Sequence, residues 1–212
     1  MRVLALIIAL LLLCETTLAQ NCPPCYYDQY HMVARHGYDG DGRQKLNVYI
    51  DWSSMPNFTQ SGKDTVTAAV DGGIAQWNNA TNPNVSSNAW DYKIQYGLER
   101  TTVSSQADFI VRRGSTLLDC ISIDMSVYPH VITFGDNWFN SSSAERIAGI
   151  AHELGHRFGL GHPSELSNNS GCSTGDSIMQ GSTTLICTGG STQVTAKDVA
   201  QKQQEFRQSS AL

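Results

Sequence analysis

His152-Glu153-Leu154-Gly155-His156-Arg157-Phe158-Gly159-Leu160-Gly161-His162 sets three imidazoles and one carboxylate within eleven residues. Residues four apart on a helix lie on one face, so His152 and His156 can converge on a single ion. Glu153 projects beside them, where a carboxylate is normally a base rather than a ligand. The helix has to stop after His156 if a third ligand is to turn back. Gly159 stops it at little steric cost, because glycine tolerates the positive φ that ends helices. Gly161 then allows a close approach of backbone before His162. Three nitrogen ligands leave the fourth corner of a tetrahedral Zn²⁺ open to water, the catalytic form, whereas structural sites are closed by four. The plain alternative is a helix that carries histidines by coincidence and turns them to solvent or core. The added glycine and third histidine make that reading hard to sustain.

Ahead of this stretch, Ser142 and Glu145 form an S-x-x-E capping box, and Ile147, Ile150, Ala151, Leu154 and Phe158 recur at helical spacing. Leu46, Val48 and Ile50 alternate with Asn47, Tyr49 and Asp51, as in a half-buried strand. Ile94 with Tyr96, and Phe109 with Val111, repeat that period. Val66, Val70, Ile74 and Trp77 share one side of a helix that Asp64 is expected to cap. Residues 120–125 read as a short strand with Ile121 and Ile123 on one face. A final helix is expected to begin near Thr195, with Asp198 in its first turn. Trp77 and Trp90 are expected in the core. The pattern predicts one α/β (α+β) domain. It has a twisted mixed sheet, an active-site helix, a second packing helix and a C-terminal helix, with a cleft before a loop-rich C-terminal part.

The run H-E-x-x-H-x-x-G-x-x-H resembles the zinc motif of the metzincin peptidases, which a methionine-containing turn completes downstream. Ser177-Ile178-Met179-Gln180 looks like that turn, with Met179 as its methionine. The remainder resembles a matrixin-type catalytic domain, with strands over 45–51, 92–99 and 107–113 and a helix over 66–80. The resemblance implies a zinc endopeptidase in which an extended polypeptide lies antiparallel to an edge strand, here 120–125, and residues 181–188 wall a side-chain pocket. Zinc would polarise the scissile carbonyl, while Glu153 takes a proton from water and returns it to the leaving amine. Some positions depart from the clan. Pro163 follows the third histidine where matrixins usually have Ser, astacins Glu and adamalysins Asp. Gly181 stands where serralysins and astacins have Tyr, so no tyrosine ligand is carried over. Only His130 lies between Ala107 and the active helix, so one zinc is expected rather than two.

Arg2, an apolar run over 3–13 and Thr17-Leu18-Ala19 before Gln20 read as a secretory signal peptide. The run is shorter than the roughly 20 residues that cross a bilayer. The expected organisation is a signal over 1–19 and a single metallopeptidase catalytic domain over 20–212. Residues 20–44 form its N-terminal segment, with a short pro-segment as an alternative. The product is expected to be secreted, extracellular and monomeric, with a polypeptide as its partner. A net charge of −5 without a Lys/Arg cluster argues against nucleic-acid and acidic-membrane binding, and no stable membrane insertion is expected.

Removal of Cys14 with the signal leaves Cys22, Cys25, Cys120, Cys172 and Cys187, and export permits disulfides. Cys172 and Cys187 flank Met179, and a bridge between them would brace the floor of the site. Cys120 can take either Cys22 or Cys25. The odd thiol then stays free, pairs between molecules or reaches the metal, although Asn21-Cys22-Pro23-Pro24-Cys25 does not match the matrixin latency switch. Asn57, Asn79, Asn84, Asn140 and Asn168 head glycosylation sequons. Asp39-Gly40-Asp41-Gly42 reads as a turn, with Ca²⁺ binding as the alternative, because Arg43 spoils EF-hand spacing. The functional rival is a secreted zinc-binding recognition module without catalysis, for which Glu153 would have no purpose.

Overall fold

Leu46, Val48 and Ile50 are buried along β1 (Gln44–Ile50) while their alternating neighbours are only partly covered, so one face of this strand enters the core. The computed structural model describes residues 43–81, 86–88, 93–94, 96–114, 120–160, 162, 177–179, 191–196 and 198–199. β2 (Tyr96–Thr101), β3 (Phe109–Arg113), β4 (Ile121–Asp124) and β5 (His130–Phe134) complete a five-stranded sheet of order β2-β1-β3-β5-β4. Every pairing is parallel except β4 with β5, which is antiparallel and puts β4 at the edge. The mixed α/β architecture expected from the pattern is therefore present, and so is the edge position of the 120–125 segment. The strands over 92–99 and 107–113 are found as β2 and β3 with shifted bounds, and Tyr92 lies outside the described residues.

The first long helix, α1 (Gln60–Asn79), corrects the expected start and cap. Its N-cap is Thr59, whose hydroxyl accepts from the Gly62 N–H at 3.2 Å. Asp64 instead lies inside the helix and accepts from the Gln60 side chain at 2.7 Å. The reason is physical: the first turns face solvent, so apolar spacing begins only at Val66, well after the helix itself. From there Val66, Ala69, Val70, Gly73, Ile74 and Trp77 form the buried stripe.

After the short α2 (Asp136–Phe139) comes α3 (Ser143–Arg157), opened by the expected capping box. The Glu145 N–H donates to Ser142 Oγ at 3.3 Å, and the Ser142 N–H to Glu145 Oε2 at 2.8 Å. α1 and α3 pack closely because glycines open the contact. A Cβ on Gly73 would fall 2.5 Å from Ile150 Cγ2, and one on Gly155 3.0 Å from the Trp77 ring. Gly72 meets Ile147 earlier along both helices, so the two run in the same direction. Trp77 is fully buried, donates to the Ala151 carbonyl at 2.7 Å, and meets Phe158 edge-on at 4.9 Å. Phe158 in turn stacks on Tyr96 at 5.3 Å, which ties the end of α3 to the sheet. Trp90 lies outside the described residues.

At the opposite edge of the sheet, Asn78 acts in place of a further strand. Its amide donates to the Leu98 carbonyl at 2.7 Å and accepts from the Leu98 N–H at 2.9 Å. An edge strand otherwise leaves such groups unpaired. Among the described residues no helix is long and apolar enough to cross a membrane.

Candidate metal centre

The last turns of α3 carry His152, Glu153 and His156, and the helix ends in a glycine-based reversal. Gly159 has φ of 83°. The Gly159 N–H donates to the His156 carbonyl at 2.9 Å, and the Leu160 N–H to the Gly155 carbonyl at 3.2 Å. Those two bonds define a Schellman C-cap, which satisfies terminal carbonyls and turns the chain back toward the helix. The reversal also orients a ligand: His156 Nδ1 donates to the Leu160 carbonyl at 2.8 Å. His152 Nδ1 donates to the Ile178 carbonyl, also at 2.8 Å. A carbonyl oxygen can only accept, so both rings carry their proton on Nδ1 and keep a lone pair on Nε2.

Those lone pairs meet. His162 Nε2 lies 2.9 Å from His152 Nε2 and 3.1 Å from His156 Nε2. With Nδ1 of His152 and His156 already protonated, both rings turn a lone pair toward His162 Nε2, so the three nitrogens share one small space. A cation between them would also suit this spacing. Three nitrogens about 2.0–2.1 Å from one tetrahedral ion would stand roughly 3.3 Å apart, near the observed separations. His152, His156 and His162, all half-buried, thus form a group that can hold a metal ion. Burial, and secondarily His162, pushes the His156 imidazole down to about 4. It is therefore neutral near pH 7, as a ligand must be.

Glu153 is 5% exposed and reaches the backbone N–H of Ile123 in edge strand β4. Burial pushes its carboxyl up to about 8, against the opposing pull of that hydrogen bond. A carboxyl in this range takes up and gives back a proton near neutral pH; a divalent cation alongside would lower it.

Below the histidines, Met179 is fully buried against the helix. A Cβ on Gly155 would come within 2.4 Å of its sulfur, so only glycine lets this turn sit so close. The Met179 N–H donates to Ser177 Oγ at 2.9 Å, and Ser177 Oγ donates to Asp198 Oδ1 at 2.5 Å. Asp198 Oδ2 also accepts from the N–H groups of Ile178, at 3.2 Å, and Thr195, at 2.7 Å, and from Thr195 Oγ1 at 2.8 Å. Asp198 is fully buried, and burial raises its carboxyl above the usual carboxylate range while these bonds pull it down. Gln76 of α1 pins the neighbouring segment, accepting from the Val194 N–H and donating to the Thr192 carbonyl, both at 2.9 Å. A continuous chain of contacts thus runs from Asp198 through the 177–179 turn to the ring of His152.

The sequence reading brought the three histidines, Glu153 and Met179 to one place, and the structure does so too. It missed the part Asp198 plays. Thr195-x-x-Asp198 carries the S/T-x-x-acid signature of a helix start, and the Val199 N–H does donate to the Thr195 carbonyl at 3.2 Å. That signature does not reveal that the carboxylate also holds residues 177 and 178. His130 is buried beside the rings of Phe109 and Tyr128, at 6.0 and 5.6 Å. Cys120 is half-buried against the core just before β4. Cys22, Cys25, Cys172 and Cys187 lie outside the described residues, and with them every pairing considered above. The 1–19 segment, Asp39 to Gly42, Pro163 and residues 181–188 also lie outside. Comparison of the chain with models of known protein families and with curated proteins finds no match.

Proposed function

We propose that this chain is an exported zinc-dependent endopeptidase of the metzincin type, acting on polypeptides outside the cell. The observation that carries the reading is the convergence of three Nε2 atoms beside a buried carboxyl that touches the edge strand. His152, His156 and His162 would hold one Zn²⁺. When bound there, the ion supplies Lewis acidity toward a peptide carbonyl. Glu153 accepts a proton from the attacking water and delivers it to the leaving nitrogen, a role that needs the carboxyl ionised first, as a cation beside it would favour. Its contact with Ile123 sets this base against β4, along which an extended substrate would add as a further antiparallel strand through backbone hydrogen bonds. Met179 and the Asp198 network keep the His152 ring aimed. Such support of a ligand's second nitrogen fixes its tautomer and direction.

The test is cleavage of a quenched peptide by purified protein with and without a chelator. Chelator-sensitive cleavage restored by zinc is expected. Absence of cleavage from protein with zinc confirmed in place would contradict the proposal and favour a binding module.

A further inference from the structure

We propose that Asn57 and Asn140 carry asparagine-linked oligosaccharides that stand side by side at the end of the molecule remote from the histidines. The inference shares with the function above only the premise of export. N-x-S/T triplets are acceptors for this modification, but they also arise by chance, so sequence alone does not select among five of them. Three have their asparagine among the described residues, and Asn57, Asn79 and Asn140 are all exposed. Two of these share a construction that Asn79, at the end of α1, does not. In Asn57-Phe58-Thr59 the third residue is the N-cap of α1, and in Asn140-Ser141-Ser142 it is the N-cap of α3. The asparagine therefore falls two residues before the cap, outside the helix.

The parallel packing of α1 and α3 then brings the two sites together. Phe58 and Phe139, each the chain neighbour of one asparagine, have ring centroids 4.9 Å apart. Both rings are half-buried, so sugars at this end would cover a partly exposed aromatic pair. His152 lies nine residues along α3 from its first residue, roughly 14 Å at 1.5 Å per residue. Sugars at the paired N-termini thus clothe one pole and leave the histidine end open.

The hydroxyls that complete these sequons also cap the helices, so Thr59→Ala or Ser142→Ala would confound loss of sugar with loss of a cap. Asn57→Gln and Asn140→Gln avoid this. The full chain, with residues 1–19 exchanged for a host leader so that the outcome does not depend on its own signal, is secreted from a glycosylating eukaryotic cell. Peptide-N-glycosidase in ¹⁸O-water then converts each glycosylated asparagine to labelled aspartate. Label at both Asn57 and Asn140 is expected. Each Gln variant should lose one glycan from the intact mass, and the double variant should bind zinc with wild-type stoichiometry. An unlabelled Asn57 or Asn140 in the secreted protein overturns the proposal, whereas zinc content and peptide cleavage of the same sample report separately on the peptidase reading.

Discussion

At its N-terminus α3 is held by neighbours in the chain, Ser142 and Glu145 exchanging hydrogen bonds over three residues. At its C-terminus the same helix presents His152, whose ring is set by a carbonyl 26 residues downstream, and that carbonyl's turn is held in place by Asp198. One end is closed locally and serves stability. At the other a local cap also ends the helix, but the direction of the His152 ring depends on separate parts of the chain. Changes at the first should therefore move stability without moving metal binding, and changes at the second should move metal binding or turnover.

The largest effect is expected for His156→Ala, which removes one of three ligands: zinc should be lost on dialysis and peptide cleavage abolished, as elemental analysis and a quenched peptide would show. Glu153→Ala should separate holding the ion from using it, with zinc retained and turnover reduced by about 10²–10⁴-fold. Normal cleavage by that variant would remove Glu153 from the mechanism. Gly155→Ala drives a Cβ into the Met179 sulfur and should cost about 1–3 kcal/mol in denaturant unfolding, with weaker zinc binding. Asp198→Asn keeps the shape but weakens the hold on residues 177 and 178. Competition with a chromogenic chelator should show zinc affinity down by about tenfold, at the low end for partners that orient ligands. The smallest change is Ser142→Ala in unglycosylated protein, about 1 kcal/mol of stability with zinc affinity unaltered. A matching fall in zinc affinity there would erase the contrast between the two ends.

The same contrast explains what was legible in the sequence. The capping box, the buried stripe of α3, the Gly159 reversal and the histidine spacing are each written within a few residues, and each is found in the structure. The alternation of Leu46, Val48 and Ile50 gave β1 for the same reason, since a period of two needs no distant partner. The start of α1 was misjudged because its first turns bury little, leaving only Thr59 as a marker. Strand order, the glycine-opened contact of α1 with α3, and the reach of Asp198 to Ser177 depend on residues brought together from far along the chain. No local pattern specifies those pairings.

The most direct test of the central claim is the zinc content of the purified wild-type protein after equilibration with zinc and removal of excess. One zinc per chain, lost in His156→Ala and kept in Glu153→Ala, is the predicted result. Wild-type protein that is folded yet retains no stoichiometric zinc would contradict it.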